Sequence, residues 1–365
     1  MSEKLIIFPS SRQLTFLVQQ PAYREKIHIL LHHQKMPETE IPCCLDFFTK
    51  ENTEQIKQLQ RKELFVLCCH EEAVYWLKQH DSPKWHLQFS RKYLYLLEKQ
   101  NFKDFLNQNY IRNAVYTTSP EKIISYPAVA KPSIGFGSIG VCTVFSFTED
   151  KQYAEAFPTM LANSVIYAYQ KQYFPEAGNL CLFETKTEGI FFRTPVIILE
   201  AVCEHIFPVQ GITRMCKKNS EYHWEEFELN LTDESINFQQ MTQIMNQLII
   251  SLSLEDGIYI AEFMQEKDGR ISLLEFSPRQ TSERISYLVK LASGIDLERE
   301  VLSMFLYHKT AISFPEKTKT VRLRIESHTG QFPPLPEIYH LLETENDRSL
   351  YDKQCKLKYF IKDSI

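Results

Sequence analysis

The residues with the clearest chemical potential are three closely spaced glycines and a lysine upstream of them. Gly135, Gly137 and Gly140 fall within six positions, although the chain of 365 residues has only ten glycines. Glycine is favoured where backbone turns tightly or approaches a ligand closely, and successive N–H groups in such a loop suit phosphate oxygens. Lys131 supplies a positive charge for the same anion. The pattern predicts a loop that covers phosphate groups; the alternative is a plain glycine-rich hairpin.

The glycine spacing also matches the dinucleotide-binding pattern, but its context does not. That pattern must follow a strand and open a helix, whereas residues 141–147 are mostly β-branched, aromatic or small apolar, which favours a strand. A protein kinase has a similar flap, yet its lysine follows the glycines and its catalytic loop reads His-Arg-Asp. This chain has no His-Arg-Asp and no Walker sequence. The expected arrangement is therefore strand, loop, strand.

A second stretch, residues 257–279, has the pattern of a β-hairpin. Two apolar-rich runs flank Asp268-Gly269, and Asp-Gly between such runs is the strongest short hairpin signal. If these two residues form the turn, Lys267 faces Arg270, and the register of every pair further along the strands follows. The hairpin therefore predicts which polar side chains share a face.

Two carboxylates, Glu262 and Glu275, lie directly opposite each other in this register. Like charges at facing positions are destabilising, so such a pair favours a shared proton or a bound cation. With a phosphate loop in the same chain, we expect Mg²⁺ held by these carboxylates and by phosphates. Strand alternation brings Ser277 and Arg279 to the same face, where Arg279 can meet a phosphate or a substrate carboxylate. The alternative is a solvated hairpin face.

Together these motifs resemble the ATP-grasp superfamily. Lys-Pro-x-x-Gly-x-Gly-Ser-x-Gly-Val from Lys131, followed by a hairpin that ends Glu-Phe-Ser-Pro-Arg, is similar to that family's phosphate loop and to its ending Glu-x-Asn-Pro-Arg. The resemblance covers about residues 88–306. It implies ATP held between two α+β subdomains, and ATP-driven joining of a carboxylate to an amine or similar nucleophile through an acyl phosphate.

The resemblance also implies roles for individual residues. Mg²⁺, or Mn²⁺ in its place, would bind Glu262, Glu275 and Ser277, although Ser277 stands where the family usually has a metal-binding Asn, which leaves a second metal site open. Arg279 and Lys131 would be catalytic. The adenine would bind at an interdomain hinge after a strand at residues 165–174. Residues expected to contact the nucleotide are Lys92, Lys131, Gly135, Gly137, Ser138, Gly140, Gln172 (with Gln170 as its alternative), Tyr173, Phe174 and Arg214. The alternative for Lys92 is a solvated lysine in the first turn of a helix, and the alternative for Arg214 is a surface residue.

Strands and helices alternate at the start of the chain, which predicts a small parallel α/β domain. The predicted fold class is α/β (α+β), an ATP-grasp fold preceded by this domain. Loops after its strands, at residues 9–12 and 70–71, are weak candidates for substrate contacts. The expected boundaries are an N-terminal domain over 1–88, an ATP-grasp domain over 89–306 with a lid subdomain at about 112–180, and a C-terminal β-rich extension over 307–365.

Further along the chain, the patterns predict core helices and one charged strand. Apolar residues at helical spacing indicate a helix over 239–254 and two helices over 287–306, separated at Gly294. Residues 320–325 alternate as a strand, with Arg322 and Arg324 on one face. Similar extensions occur in ATP-grasp dipeptide-forming ligases, so these arginines are candidates to bind an amino-acid carboxylate; a solvated edge is the alternative.

Composition limits the class of protein and its partners. The net charge of −5 gives no basic surface for nucleic acid. Nine cysteines form neither a disulfide framework nor zinc spacing, which fits a reducing compartment and predicts a cytoplasmic protein. No window reaches the roughly 18 apolar residues of a membrane span, so we expect no membrane partner.

The function that these features predict is an ADP-forming carbon–nitrogen ligase. Its expected partners are a small-molecule carboxylate and an amine, with ATP and Mg²⁺ as cofactors. Two alternatives remain at this stage. One is a small-molecule phosphotransferase on the same scaffold, and the other is a catalytically silent ATP-binding regulator, which the serine at position 277 would favour.

Overall fold

The strands of this protein form three sheets in a computed structural model, which have five, nine and four strands. No helix in the described ranges is both long and apolar enough to span a membrane. The structure describes residues 3–7, 16–18, 20–25, 27, 29–32, 43–46, 53–123, 125–135, 140–162, 181–216, 222–279, 283–308, 310, 312–313, 318–326, 339–347 and 355–362.

The first sheet is parallel throughout and confirms the predicted N-terminal α/β fold. Its strand order is β3-β2-β1-β4-β5. The sequence predicts strands at residues 5–8, 26–31 and 63–69 of this sheet, and it does not predict the short strands β3 and β5. The elements are β1 (Glu3–Ile7), α1 (Pro21–Arg24), β2 (Ile29–His32), β3 (Cys43–Asp46), α2 (Thr53–Leu59), β4 (Leu64–Cys68), α3 (Glu71–His80) and β5 (Trp85–Leu87).

Two helices and a four-stranded antiparallel sheet follow. The helices are α4 (Lys92–Leu96) and α5 (Lys99–Gln108). The sheet has the order β6-β9-β7-β8, and its strands are β6 (Tyr116–Thr117), β7 (Ala128–Pro132), β8 (Cys142–Val144) and β9 (Cys181–Thr185), with α6 (Phe147–Ala162) between the last two. The glycine segment therefore joins two antiparallel strands, β7 and β8. This confirms strand, loop, strand and excludes the dinucleotide-binding arrangement.

The third sheet is the largest and continues to the end of the described chain. Its order is β15-β14-β10-β12-β13-β16-β18-β17, with β11 paired to β10, so the C-terminal strands extend this sheet. Its strands are β10 (Gly189–Leu199), β11 (Val202–Ile206), β12 (Val209–Cys216), β13 (Tyr222–Leu229), β14 (Gly257–Glu266), β15 (Ile271–Ser277), β16 (Thr320–Glu326), β17 (Tyr339–Asp347) and β18 (Cys355–Lys362).

The helices that cover this sheet agree with the apolar periodicity. Helix α7 (Phe238–Leu252) buries the predicted stripe, which includes Met241, Met245 and Leu248. Helices α8 (Glu283–Ser293) and α9 (Leu297–Tyr307) are separated at Gly294, as predicted. Gly294 has φ +76°, a conformation that glycine adopts without the steric cost of a Cβ atom.

Candidate active site

The turn between β14 and β15 is one residue longer than the sequence predicted. Glu266, not Lys267, faces Arg270: the Glu266 N–H donates to the Arg270 carbonyl at 2.8 Å, and the Gly269 N–H donates to the Glu266 carbonyl at 2.9 Å. Gly269 has φ +82°, which fits a three-residue turn that closes with a left-handed glycine. The predicted two-residue turn is therefore wrong.

A β-bulge on β15 nevertheless restores the predicted pairing of the two carboxylates. Phe263 pairs with Leu273, whereas Glu262 pairs with Glu275, so Leu274 is the extra residue. A bulge adds one residue to one strand and shifts every later pair by one position. It cancels the extra residue of the turn, and Glu262 faces Glu275 as predicted.

The two facing carboxylates differ in their partners. Arg193 on β10 is cross-strand to Glu262, and its Nη2 lies 2.6 Å from the Glu262 Oε1 atom. Glu275 instead lines a pocket that also contains lysine side chains. Within the described residues, no group of three or more His, Cys, Asp or Glu side chains is arranged to hold a metal. Two carboxylates fit Mg²⁺ only if other oxygens, such as phosphates, complete its coordination.

Three lysines converge on this pocket. Lys99 and Lys103 lie one turn apart on one face of α5, and Lys131 lies on β7. The burial of Phe105 and Leu106 anchors α5 against the core. The residues that line the pocket are Glu71, Tyr75, Tyr93, Leu96, Leu97, Lys99, Phe102, Lys103, Lys131, Gly135, Leu274, Glu275 and Phe276.

A buried glutamate on the neighbouring strand joins two of these lysines. The Glu184 Oε1 atom lies 2.6 Å from the Lys131 Nζ atom and 3.3 Å from the Lys103 Nζ atom. Burial lowers the pKa of Lys103 to about 8, and Glu184 limits this shift. Burial would by itself raise the pKa of Glu184, but the charges of Lys103 and Lys131 outweigh it and hold that pKa below its ordinary value. Sequence reasoning missed both Glu184 and Lys103.

The glycine segment lies at the edge of the same pocket. The Lys99 ammonium donates to the carbonyl oxygen of Gly135, and Gly135 has φ +152°, in the region that favours glycine. Gly140, at the other end of the segment, has φ +73°. A lysine therefore already binds the segment that the sequence predicted to cover phosphate groups.

Ser277 and Arg279 meet a carboxylate from the N-terminal domain. Glu71, the first residue of α3, accepts a hydrogen bond from the Ser277 hydroxyl at 2.8 Å and another from the Arg279 Nε at 2.8 Å, both on its Oε2 atom. The Glu71 side chain is 7% exposed. Sequence reasoning placed Ser277 on a metal and gave Glu71 only as one of several loop candidates.

Other predicted site residues fall elsewhere. Lys92 is exposed, and its ammonium lies 4.7 Å from the centre of the Phe105 ring. It does not line the pocket, whereas Lys99, at the start of the next helix, does. Arg214 lies in β12, and its side chain is outside the described part of the chain. Also outside the described residues are Gly137, Ser138, Gln170, Gln172, Tyr173 and Phe174.

A short connection joins the small antiparallel sheet to the large sheet. Strand β9 belongs to the former and β10 to the latter, so residues 186–188 make the crossing. The predicted strand at 165–174 lies outside the described residues, because the structure does not describe residues 163–180.

The C-terminal arginines are paired within the large sheet. Arg324 Nε lies 3.0 Å from the Glu226 Oε1 atom, and Arg322 Nη2 lies 2.6 Å from the Glu228 Oε2 atom. Strand β16 lies between β13 and β18, so the solvated-edge alternative is wrong. Neither arginine lines the pocket.

Comparisons with known proteins identify the fold. No family model matches the chain, and no curated protein matches it in sequence. A solved L-amino acid ligase from Bacillus licheniformis is similar, with a TM-score of 0.69 at 14% identity, over 99% of this chain and 94% of that chain. An N5-carboxyaminoimidazole synthetase from Staphylococcus aureus, complexed with ADP, is also similar. Its TM-score is 0.65 at 13% identity, over 100% of this chain and 93% of that chain.

A third solved structure is the biotin carboxylase domain of the Hydrogenobacter thermophilus 2-oxoglutarate carboxylase, in complex with MgADP. Its TM-score is 0.60 at 12% identity, over 100% of this chain and 86% of that chain. At such identities the similarity shows the fold alone. That fold is the ATP-grasp fold that the two motifs predicted.

Proposed function

We propose that this chain uses its ATP-grasp fold as an ADP-forming ligase, which activates a carboxylate with Mg–ATP and joins it to an amine. The observation that carries the proposal is the pocket itself. Three lysines, Lys99, Lys103 and Lys131, line it with two carboxylates, Glu71 and Glu275, so positive charge exceeds negative charge among the lining residues. A partly buried pocket with excess positive charge favours a polyanion such as the phosphates of ATP.

The nucleotide phosphates would replace contacts that the protein makes with itself. Lys99 binds the Gly135 carbonyl and Lys131 pairs with Glu184, and both ammonium groups could turn to phosphate oxygens. Backbone N–H groups of the glycine segment would bind the same anions. We place the adenine beside the crossing at residues 186–188, in line with the hinge that the family resemblance implies.

Glu262 and Glu275 are the residues that would hold Mg²⁺. Their facing register and oxygen chemistry suit this hard cation. When bound, the metal would neutralise charge on the phosphates. Arg193 would keep Glu262 oriented through its 2.6 Å ion pair.

The chain's own residues would act on two successive steps. A substrate carboxylate oxygen attacks the γ-phosphorus, the bond to the β-phosphate oxygen breaks, and ADP leaves. Lys131 and Arg279 would stabilise charge on the transferring group, which is the main task of a protein in phosphoryl transfer. The amine then attacks the acyl carbon, a C–N bond forms, and inorganic phosphate leaves with the C–O bond electrons.

Similar solved proteins agree with this chemistry, because one is an L-amino acid ligase and another binds MgADP. The test is ADP release by the purified protein with Mg–ATP and a panel of carboxylates and amines, followed by mass spectrometry of the products. We expect ADP only when a carboxylate and an amine are both present, and an amide as product. A stable phosphorylated product without amine would indicate a phosphotransferase. Binding of Mg–ATP without any turnover would indicate a silent regulator.

A further inference from the structure

Glu71 is a buried carboxylate that the proposed mechanism does not yet use. It belongs to α3, yet its Oε2 atom binds two residues at the end of the β14–β15 hairpin, Ser277 and Arg279. Both hydrogen bonds end on the same oxygen. A carboxylate has about four acceptor positions on two oxygens, so this arrangement leaves capacity on the Oε1 atom for a ligand.

The proposed reaction requires a carboxylate near the amine. An alkyl amine is protonated at neutral pH, as the pKa of about 10.4 for lysine shows, and an ammonium group has no lone pair for attack. The site must therefore bind a cation and remove one proton from it. The group that does so must lie beside the acyl phosphate, which the proposed function places next to Arg279.

The other carboxylates in or beside the pocket either pair with a basic residue or face the proposed metal position. Glu184 lies between Lys103 and Lys131, and Glu262 pairs with Arg193. Glu275 faces Glu262 across the proposed metal position. Glu71 is the remaining carboxylate that lines the pocket, and it lies 2.8 Å from the Arg279 guanidinium.

We propose, on the basis of the proposed function, that Glu71 binds the ammonium group of the amine substrate and accepts its proton. Transfer of one proton from the ammonium group to the Glu71 carboxylate frees the nitrogen lone pair. The neutral amine then attacks the acyl carbon, the C–O bond to the phosphate breaks, and the second N–H proton leaves with the inorganic phosphate. Ser277 and Arg279 orient Glu71 for this task. The preferred amine is therefore a cation at neutral pH, such as an amino acid or an alkyl amine, and it enters from the side of the N-terminal domain.

The substitution Glu71→Gln tests this role with two nucleophiles that differ in charge. The carboxylate and amine are the pair that the wild type accepts in the panel above; the second nucleophile is hydroxylamine, which is uncharged at neutral pH. With the amine, kcat for ADP release by Glu71→Gln should fall at least about 100-fold. With hydroxylamine, hydroxamate formation should remain within about threefold of the wild type, because no proton has to be removed before attack.

Two controls separate chemistry from folding and from the proposed function. Glu266→Gln removes a carboxylate that bonds Arg112 at the far end of the hairpin, and both rates should stay unchanged. Mg–ATP should raise the Tm of Glu71→Gln as it does for the wild type, and Glu71→Asp should recover part of the amine reaction.

Each remaining outcome overturns a specific claim. Equal loss of both reactions in Glu71→Gln, or in Glu71→Asp if the former does not fold, would show that Glu71 only positions Arg279. No loss of either would show that Glu71 has no role. A wild type that forms neither amide nor hydroxamate would overturn the proposed function and the role of Glu71 with it.

Discussion

Two clusters of basic residues in the described part of the chain pair with glutamates, and they differ in whether they line the pocket. The arginine cluster is Arg322 and Arg324 on β16. Each guanidinium meets a glutamate of the neighbouring strand, at 2.6 and 3.0 Å, so two cations balance two anions. The lysine cluster is Lys99, Lys103 and Lys131. Two of its ammonium groups share one carboxylate, and all three line the pocket.

The balance of charge in the two clusters distinguishes a binding site from a structural ion pair. In the arginine cluster the charges cancel inside a sheet, between strands whose register fixes the partners. In the lysine cluster the charges come from a helix and a strand, and positive charge is left over at a cavity. Uncompensated charge is costly to bury, so its presence at a pocket indicates a ligand of opposite charge. The sign and number of the charged residues alone do not indicate whether a ligand binds.

The loss of activity should be greatest when Glu275, one of the two carboxylates that line the lysine pocket, is removed. Glu275→Ala should lower ADP release by about 1000-fold, because charge stabilisation at the transferring phosphoryl group is lost. The fold should remain, since the substitution also relieves repulsion from Glu262. The measurement is coupled-assay turnover together with circular dichroism.

The matched control for Glu275→Ala removes the same charge from the other cluster. Glu228→Gln in the arginine cluster should leave turnover per folded molecule unchanged, because Glu228 pairs with Arg322 and does not line the pocket. Full ADP release by Glu275→Ala would exclude this carboxylate from the metal and phosphate site.

The second effect concerns stability and belongs to the arginine cluster. Arg324→Met removes the 3.0 Å partner of the buried Glu226 and leaves it with the longer 3.6 Å ion pair to Arg322. Weakening a buried ion pair in this way should lower the free energy of unfolding by about 3 kcal/mol. Urea unfolding followed by fluorescence measures it. The double variant Arg324→Met/Glu226→Leu should recover most of the loss, because no unpaired charge then remains. Loss of ligation with unchanged stability would instead restore the prediction that Arg324 binds a substrate carboxylate.

Much of the fold was predictable because local patterns carry it. Apolar periodicity predicted α7 and the break at Gly294. The strand character of residues 141–147, of which 142–144 form β8, distinguished a hairpin from a nucleotide-binding helix. The pairing of Glu262 with Glu275 was also predicted, but the turn that led to it was wrong. A bulge at Leu274 compensates for the longer turn, and no local sequence pattern predicts this bulge.

The site was predictable only where it depends on one continuous stretch. Lys131 and Glu275 lie in recognisable motifs, whereas the choice between Lys92 and Lys99 depends on how α4 and α5 pack. Both lysines start a helix, and tertiary contacts alone place Lys99 at the pocket. Glu71 meets Arg279 across 208 positions of sequence, and no local pattern contains such a contact.

The lowered pKa of Lys103 should make the affinity of the lysine cluster for ATP depend on pH. Because that pKa lies near 8, the free protein loses this positive charge as the pH rises from 7.5 to 9.5. Bound phosphates favour the charged form, so ATP affinity should weaken over this interval by about tenfold. Titration calorimetry with a non-hydrolysable ATP analogue measures the affinity independently of catalysis. Other charged groups near Lys103 are Lys99, Lys131, Glu184 and Glu275.

Two variants assign this pH dependence to Lys103. Lys103→Arg carries a charge that is not lost below pH 12, so its affinity should stay level between pH 7.5 and 9.5. Lys103→Met should bind more weakly but also without the decline. If both variants retain the wild-type decline, the titrating group is another member of the pocket and the lysine cluster does not act through Lys103.

The smallest expected effect comes from the glycine segment that borders the lysine pocket. Gly140 has φ +73°, a conformation that a β-branched residue resists, so Gly140→Val should distort the segment and raise the KM for ATP by about fivefold. Gly269 is the matched control, because its φ is +82° and an added Cβ would meet nothing within 4 Å. Gly269→Val should therefore cost about 1–2 kcal/mol of stability, as a left-handed residue does, and leave the KM unchanged. Equal KM values for both variants would show that strain at Gly140 does not reach the nucleotide, and that the segment is a plain hairpin.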